Sequence, residues 1–236
     1  MVKNLINSLI LPVHIKNTSE EPQMKNAKKT FTEERESMVT TQIKSRGIKD
    51  AHVLEAMKKV PRHVFVPENM RKFAYNDEPL PIGKGQTISQ PYIVAYMTEV
   101  LQLSCEGRIL EVGTGSGYQA AVLAEIAKEV FTVEIIDELS KNAQDVLQTE
   151  GYTNIHFRVG DGACGWEENA PYDAIMVTAA PPEVPRALQG QLKIGGRMIV
   201  PVGDAFQELV LIVREKSRFK KKKLLPVRFV PLVKPH

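Results

Sequence analysis

The chain has 236 residues, 43% hydrophobic and 25% charged, which is an ordinary soluble composition with length for one substantial domain and a modest appendage. A net charge of +3 creates no field that demands a nucleic-acid partner, and two cysteines, Cys105 and Cys164, exclude a disulfide framework. No apolar run approaches the roughly 18 residues of a membrane span, so a reduced, cytoplasmic setting is expected, with both cysteines as small buried side chains.

Residues 1–30 read as a leader. Lys3 precedes a short apolar stretch, but Asn4, Asn7 and Ser8 interrupt it and no small-residue cleavage site follows, which argues against a signal peptide. Residues 16–30 are polar and without periodicity, as in a linker. Residues 31–236 read as a single domain. A first helix is expected from Thr32 or Glu33, with Thr32 as N-cap, acids in the first turn, apolar positions at Met38, Ile43 and Ile48, and Gly47 near its end. A second runs from Lys49 to Lys59 over Val53, Leu54 and Met57, and Pro61 stops it. Residues 61–91 are rich in proline, glycine and aromatics. They read as a long irregular segment, ordered by its apolar content and placed near a functional site.

After a helix from Tyr92 to Leu101, strands and helices alternate. Strands are expected at 108–113, 130–135, 155–161 and 172–179, with helices from Tyr118 to Lys128, Asp137 to Glu150 and Pro185 to Leu192. Further strands are expected at 196–203, 208–215 and 225–233, the last an edge broken by prolines. This order predicts an α/β, doubly wound, Rossmann-like sheet, mostly parallel with antiparallel C-terminal strands.

The chemistry concentrates in three loops at the ends of successive strands. In Glu111-Val112-Gly113-Thr114-Gly115-Ser116-Gly117, a strand enters a glycine turn that opens a helix. A phosphate-binding P-loop requires a lysine that is absent, and a dinucleotide loop requires glycine or alanine where Tyr118 stands. What remains is G-x-G-x-G behind an acid, the pattern of the class I methyltransferase fold, suited to an amino-acid cofactor whose cationic amine Glu111 can meet; a purely structural turn is the alternative. Glu134 ends the next strand, roughly 20 residues on, where a carboxylate can accept both ribose hydroxyls. Asp161 and Gly162 follow the third strand, where an acid can accept an adenine amine and glycine leaves room for the ring; the bland alternative is an Asp-Gly turn.

Gly85-Gln86-Thr87-Ile88-Ser89-Gln90-Pro91-Tyr92 stands just upstream of these loops. Together with VPRHVFVPE, LEVGTGSGYQAAVLA, YDAIMVTAAPPEVP, GGRMIVPVG and PVRFVPL, it resembles the protein-L-isoaspartate O-methyltransferase family from about Phe31 to Val233. The resemblance implies methyl transfer from S-adenosyl-L-methionine to the α-carboxylate of L-isoaspartyl residues in damaged proteins, an ester that then collapses to a succinimide. It implies Ser89 as the catalytic residue and Thr87, Ile88, Gln90, Glu111, Gly113, Thr114, Gly115, Ser116, Glu134, Asp161 and Gly162 around the cofactor. Thr87, Ser89, Val227, Arg228, Phe229 and Val230 would lie beside the substrate. The chain departs from some relatives at Tyr92, where they carry His, and at Ile135, where many carry Arg. No metal site is expected, since the five histidines lack metal-ligand spacing. A monomer without nucleic-acid or membrane partners is expected.

Two other functions compete. RNA methylation draws on the basic run Arg218 with Lys220 to Lys223, but an NPPY-type clamp is missing from Thr178-Ala179-Ala180-Pro181-Pro182; a solvated hairpin tip is the plainer reading of that run. A cofactor-binding scaffold without turnover would not need Thr87 and Ser89. His63 reads as a packing residue, and Trp166 as either packing or an adenine cover.

Overall fold

The structure, a computed structural model, describes residues 30–233; the leader lies outside them. The first helix, α1, occupies 30–46 in three registers: α over 30–37, π over Met38–Ile43 and a 3-10 turn over Lys44–Arg46. Gly47 ends it at φ +99°, a left-handed conformation that suits glycine. Thr32 falls inside the helix rather than at its cap. Helix α2, Ala51–Lys59, is capped by Asp50, whose carboxylate accepts from the amides of His52 and Val53.

The stretch expected to be irregular contains a small antiparallel hairpin, β1 (Leu80–Gly83) and β2 (Gln86–Ile88), between two 3-10 segments and α3 (Pro91–Leu101). Prolines and glycines mask the hairpin, because its strands are only three or four residues long. Arg62 anchors this region from inside. Its side chain is fully buried, Nε donates to the Ala74 carbonyl at 2.8 Å, and the guanidinium lies 4.9 Å from the Tyr118 ring centre. Burial pulls its pKa down to about 10, so it stays charged near neutrality. We expect Arg62→Ala to cost about 3 kcal/mol, because it removes a packed stem and the cation that ties the chain at Ala74 to the core. Chemical denaturation of both proteins checks this; a loss below about 1 kcal/mol would deny Arg62 its anchoring role.

The main sheet has seven strands in the order β5-β4-β3-β6-β7-β8-β9. They are β3 (Arg108–Val112), β4 (Glu129–Glu134), β5 (Ile155–Val159), β6 (Tyr172–Val177), β7 (Leu192–Val202), β8 (Gln207–Arg214) and β9 (Phe219–Val227). The first five are parallel and the last two antiparallel. Helices α4 (Tyr118–Ala124), α5 (Asp137–Thr149) and α6 (Arg186–Gln191) connect them. Side chains alternate between two cores, as pleating requires: Ile109, Val130 and Met176 enter one, while Leu110, Phe131 and Ile175 enter the other. Both faces are thus covered, which accounts for the near-continuous apolar runs of the central strands.

Three expectations need correction. The last strand is Phe219–Val227, so Lys220 to Lys223 lie within the edge strand and only Arg218 stands at the hairpin tip, where Glu215 N–H donates to its carbonyl. Lysines are depleted in strands generally but blunt an exposed edge, which hid this strand from its composition. Beyond Val227 the chain leaves the sheet edge and crosses the end of β6, where Ala180 N–H donates to the Val230 carbonyl and Leu232 N–H to the Ala180 carbonyl. Both cysteines are exposed, because each lies in a turn that no apolar layer encloses.

Candidate active site

Winding outward from β3 to β4 and β5, then back to β6, creates a switch point at the C-terminal ends of β3 and β6. Ligands settle in such crevices. Gly113 opens the loop there at φ +98°, with its N–H donating to the Val133 carbonyl at 2.8 Å. The Thr178 hydroxyl sits against it, 2.7 Å from the Gly113 carbonyl and 3.0 Å from that of Val112. A Cβ on Gly113 would stand 2.4 Å from that hydroxyl, so both conformation and space require glycine. Gly162 faces a similar limit, since its Cβ would fall 2.4 Å from Val112 Cγ1.

Two carboxylates stand behind the loop. Glu134, at the end of β4, accepts from the amides of Gly115 at 2.9 Å and Ile136 at 3.0 Å, so it shapes the glycine turn while lining the crevice. Glu111 is completely buried. Its Oε2 accepts from the Thr132 hydroxyl at 2.5 Å, and that hydroxyl meets Thr114 Oγ1 at 2.6 Å. Its Oε1 is buried without a partner. Burial, with a smaller push from Glu134 and opposed by the Thr132 hydrogen bond, raises the Glu111 pKa to about 8. Glu111 does not itself line the crevice; Thr114 does, and links it inward to Glu111 through Thr132.

The crevice is bounded by Gly113 to Ser116, Glu134, Gly162, Thr87 to Ser89 and the Val230–Val233 crossing. A second cavity adjoins it, bounded by Ser89, Gln90, Ile93 and Val227 to Val230. The two share Thr87, Ser89, Thr178 and Val230 as a common wall. Among the described residues, neither the Thr87 nor the Ser89 hydroxyl is engaged with another group. The expected cofactor and substrate residues are therefore brought together, with three qualifications. Gln90 is outside the first crevice and its amide donates to Asp77. Asp161 caps its own turn, accepting from Ala163 N–H at 2.8 Å, and does not line the crevice. Glu111 acts through two threonines.

A family model described as Protein-L-isoaspartate(D-aspartate) O-methyltransferase matches residues 33–236. The chain belongs to this family. A Synechococcus protein-L-isoaspartate O-methyltransferase is 52% identical over 221 residues, 90% of this chain and 91% of the relative. A solved protein-L-isoaspartate O-methyltransferase is 32% identical with a TM-score of 0.78, covering 84% of this chain; the match spans 65% of that longer chain. A Plasmodium falciparum chain assigned the same activity and solved with S-adenosyl-L-homocysteine is 27% identical with a TM-score of 0.73, covering 85% of this chain and 99% of that one.

S-adenosylmethionine is the cofactor of the isoaspartyl methyltransferases, and the crevice fits it. Glu134 offers its carboxylate in the crevice lining, and Glu111, linked to the lining Thr114 through Thr132, keeps one unpartnered carboxylate oxygen, a demand that a cationic amine answers. Sequence reasoning missed Thr132 and the hydroxyl clamp of Thr178. The Thr in VTAA carried no signal, because its partners are main-chain carbonyls 65 and 66 residues earlier. Trp166 resolves as a packing residue, edge-on to Phe131 at 5.7 Å and away from the crevice. His63 stacks on Phe31 at 4.1 Å, and burial lowers its pKa to about 4.

Proposed function

We propose that the chain methylates the α-carboxylate of L-isoaspartyl residues in damaged proteins, with Ser89 and Thr87 orienting that carboxylate. The observation that carries this reading is the shared wall: two unengaged hydroxyls between a glycine-built crevice and a second cavity. S-adenosylmethionine, when bound, supplies an electrophilic methyl group. The acceptor carboxylate is already ionised near pH 7, so no side chain has to remove a proton. Thr87 and Ser89 donate to one oxygen and leave the other free to attack. Ile93, Val227 and Phe229 limit water around it, and a charge-neutralising transfer gains from that dryness. Alignment supplies most of what remains. Glu134 is assigned to the ribose hydroxyls, Asp161 and Gly162 to the adenine side, and Arg228 to the peptide flank.

Labelled cofactor incubated with paired isoaspartyl and aspartyl peptides tests this directly. Base-labile label on the isoaspartyl peptide alone is expected; equal labelling of both, or of neither, would sink it. Ser89→Ala should slow turnover about 100-fold, the loss typical of one oriented donor, and leave cofactor affinity within about twofold. Unchanged turnover would remove Ser89 from catalysis. We further propose that the protein acts as a cytoplasmic monomer and takes no nucleic acid. In support of the last point, the lysines occupy the half of β9 remote from Val227 and the cavities. Sedimentation and RNA-labelling assays check these points.

A further inference from the structure

Ser89 is held between two fixtures. On one side, β2 pairs with β1 in a register that sets Thr87 opposite Pro81 and Ile88 opposite Leu80. On the other, Gln90 begins α3, its carbonyl accepting from Val94 N–H at 3.1 Å. The Gln90 side-chain amide donates twice to Asp77, to the carbonyl at 2.9 Å and to Oδ2 at 2.8 Å. The same Oδ2 receives Arg46 Nη1 at 2.6 Å, and the Arg46 guanidinium stacks 3.5 Å from the centre of the Tyr92 ring, two residues past Gln90.

Arg46 reaches that place by way of the irregular end of α1. The π segment Met38–Ile43 and the 3-10 turn Lys44–Arg46 rotate the last side chains away from where a regular helix would carry them. Such π segments recur at functional sites. Gln42, within the π segment, donates to the Tyr75 carbonyl at 2.9 Å, two residues before Asp77. Four buried polar atoms without partners belong to this neighbourhood: Arg35 Nε, Gln42 Oε1, Arg62 Nη1 and Asp77 Oδ1.

We propose that Asp77 is a positioning residue for methyl transfer: with Arg46 it forms a clamp that fixes Gln90 and thereby the place of Ser89 in the wall between the two cavities. Asp77 lines neither cavity and acts through Gln90. Arg46 supplies the counter-charge that keeps this carboxylate from opposing an anionic acceptor nearby. The inference rests on the isoaspartyl reading for its kinetic readout, but the clamp can be observed without turnover.

Three measurements on the full chain decide it. In amide hydrogen exchange, Asp77→Ala should speed exchange of 86–90 while the glycine loop 111–117 keeps its protection; this holds whatever the acceptor is. In kinetics with an isoaspartyl peptide, Asp77→Ala should lower kcat about thirtyfold, as expected of a misplaced donor, with the Kd of S-adenosylhomocysteine within about twofold. Asp77→Asn, which keeps an acceptor for Gln90, should recover most of that loss. Gln90→Met should match Asp77→Ala, and the double variant should be no slower than either single. Parallel losses of turnover and cofactor affinity, additive effects, or unaltered exchange at 86–90 would overturn the clamp. Should Asp77→Ala not fold, Gln90→Met carries the same exchange and kinetic expectations.

Discussion

Gly113→Ala is expected to weaken cofactor binding roughly a thousandfold. Two independent costs meet at this position. The backbone stands at φ +98°, which an L side chain occupies at about 1–3 kcal/mol. The new Cβ would also lie 2.4 Å from the Thr178 hydroxyl, and that hydroxyl is tied to two carbonyls of the loop's own entry. Relief requires Thr178 to turn away, which frees those carbonyls and loosens the crevice floor. A combined cost of about 4 kcal/mol corresponds to roughly a thousandfold in affinity. Gly162→Ala provides the contrast, because its backbone is unstrained and its Cβ meets only Val112 Cγ1 at 2.4 Å. Shortening that neighbour should therefore restore binding to Gly162→Ala/Val112→Ala almost fully. Gly113→Ala/Thr178→Ala should regain only part, since the φ cost persists. Calorimetric titration with S-adenosylhomocysteine separates the two pairs; equal rescue in both would show that strain at Gly113 is unimportant.

The same contrast marks what could be read from the chain alone. The β3 strand, glycine turn and α4 form a local unit, so their periodicity and glycine spacing revealed both fold and cofactor side. Thr87 and Ser89 were legible only as part of the family motif, and the structure adds that their hydroxyls are unengaged. Side-chain direction was not legible where a distant partner decides it. Gln90 sits in the same motif as Ser89, yet its amide turns to Asp77, thirteen residues earlier in a stretch that reads as irregular. Edge strand β9 was obscured because its lysines follow solvent exposure and not strand propensity. The first helix was expected, though Thr32 lies inside it and not at its cap, and its π segment has no periodic signature in so short a span. What escaped is therefore the long-range polar wiring, the short hairpin and the edge strand, not the doubly wound architecture.

Glu111→Gln should make the protein more stable above neutral pH and remove a proton from the binding equilibrium. The Glu111 pKa of about 8 in the folded state, set chiefly by burial, stands above the ordinary 4.5. The folded state keeps a proton that the unfolded state has released, so this group's contribution falls as pH rises from about 4.5 through about 8, then levels. At about 1.4 kcal/mol per pH unit, the penalty at pH 8 reaches at most about 5 kcal/mol. Glutamine keeps the shape without that ionisation, so its advantage over wild type should widen across the same window and vanish near pH 4.5. A cationic amine arriving beyond Thr114 favours the charged carboxylate and drives the proton off. Near pH 7, wild type should release close to one proton on binding S-adenosylhomocysteine, and its affinity should rise with pH until about 8. Titrations in phosphate and Tris, whose ionisation enthalpies differ widely, count that proton. Identical heats in both buffers for wild type would mean that Glu111 is already charged, or that the amine is held elsewhere, whereas heats that converge only in Glu111→Gln would assign the proton to this buried acid.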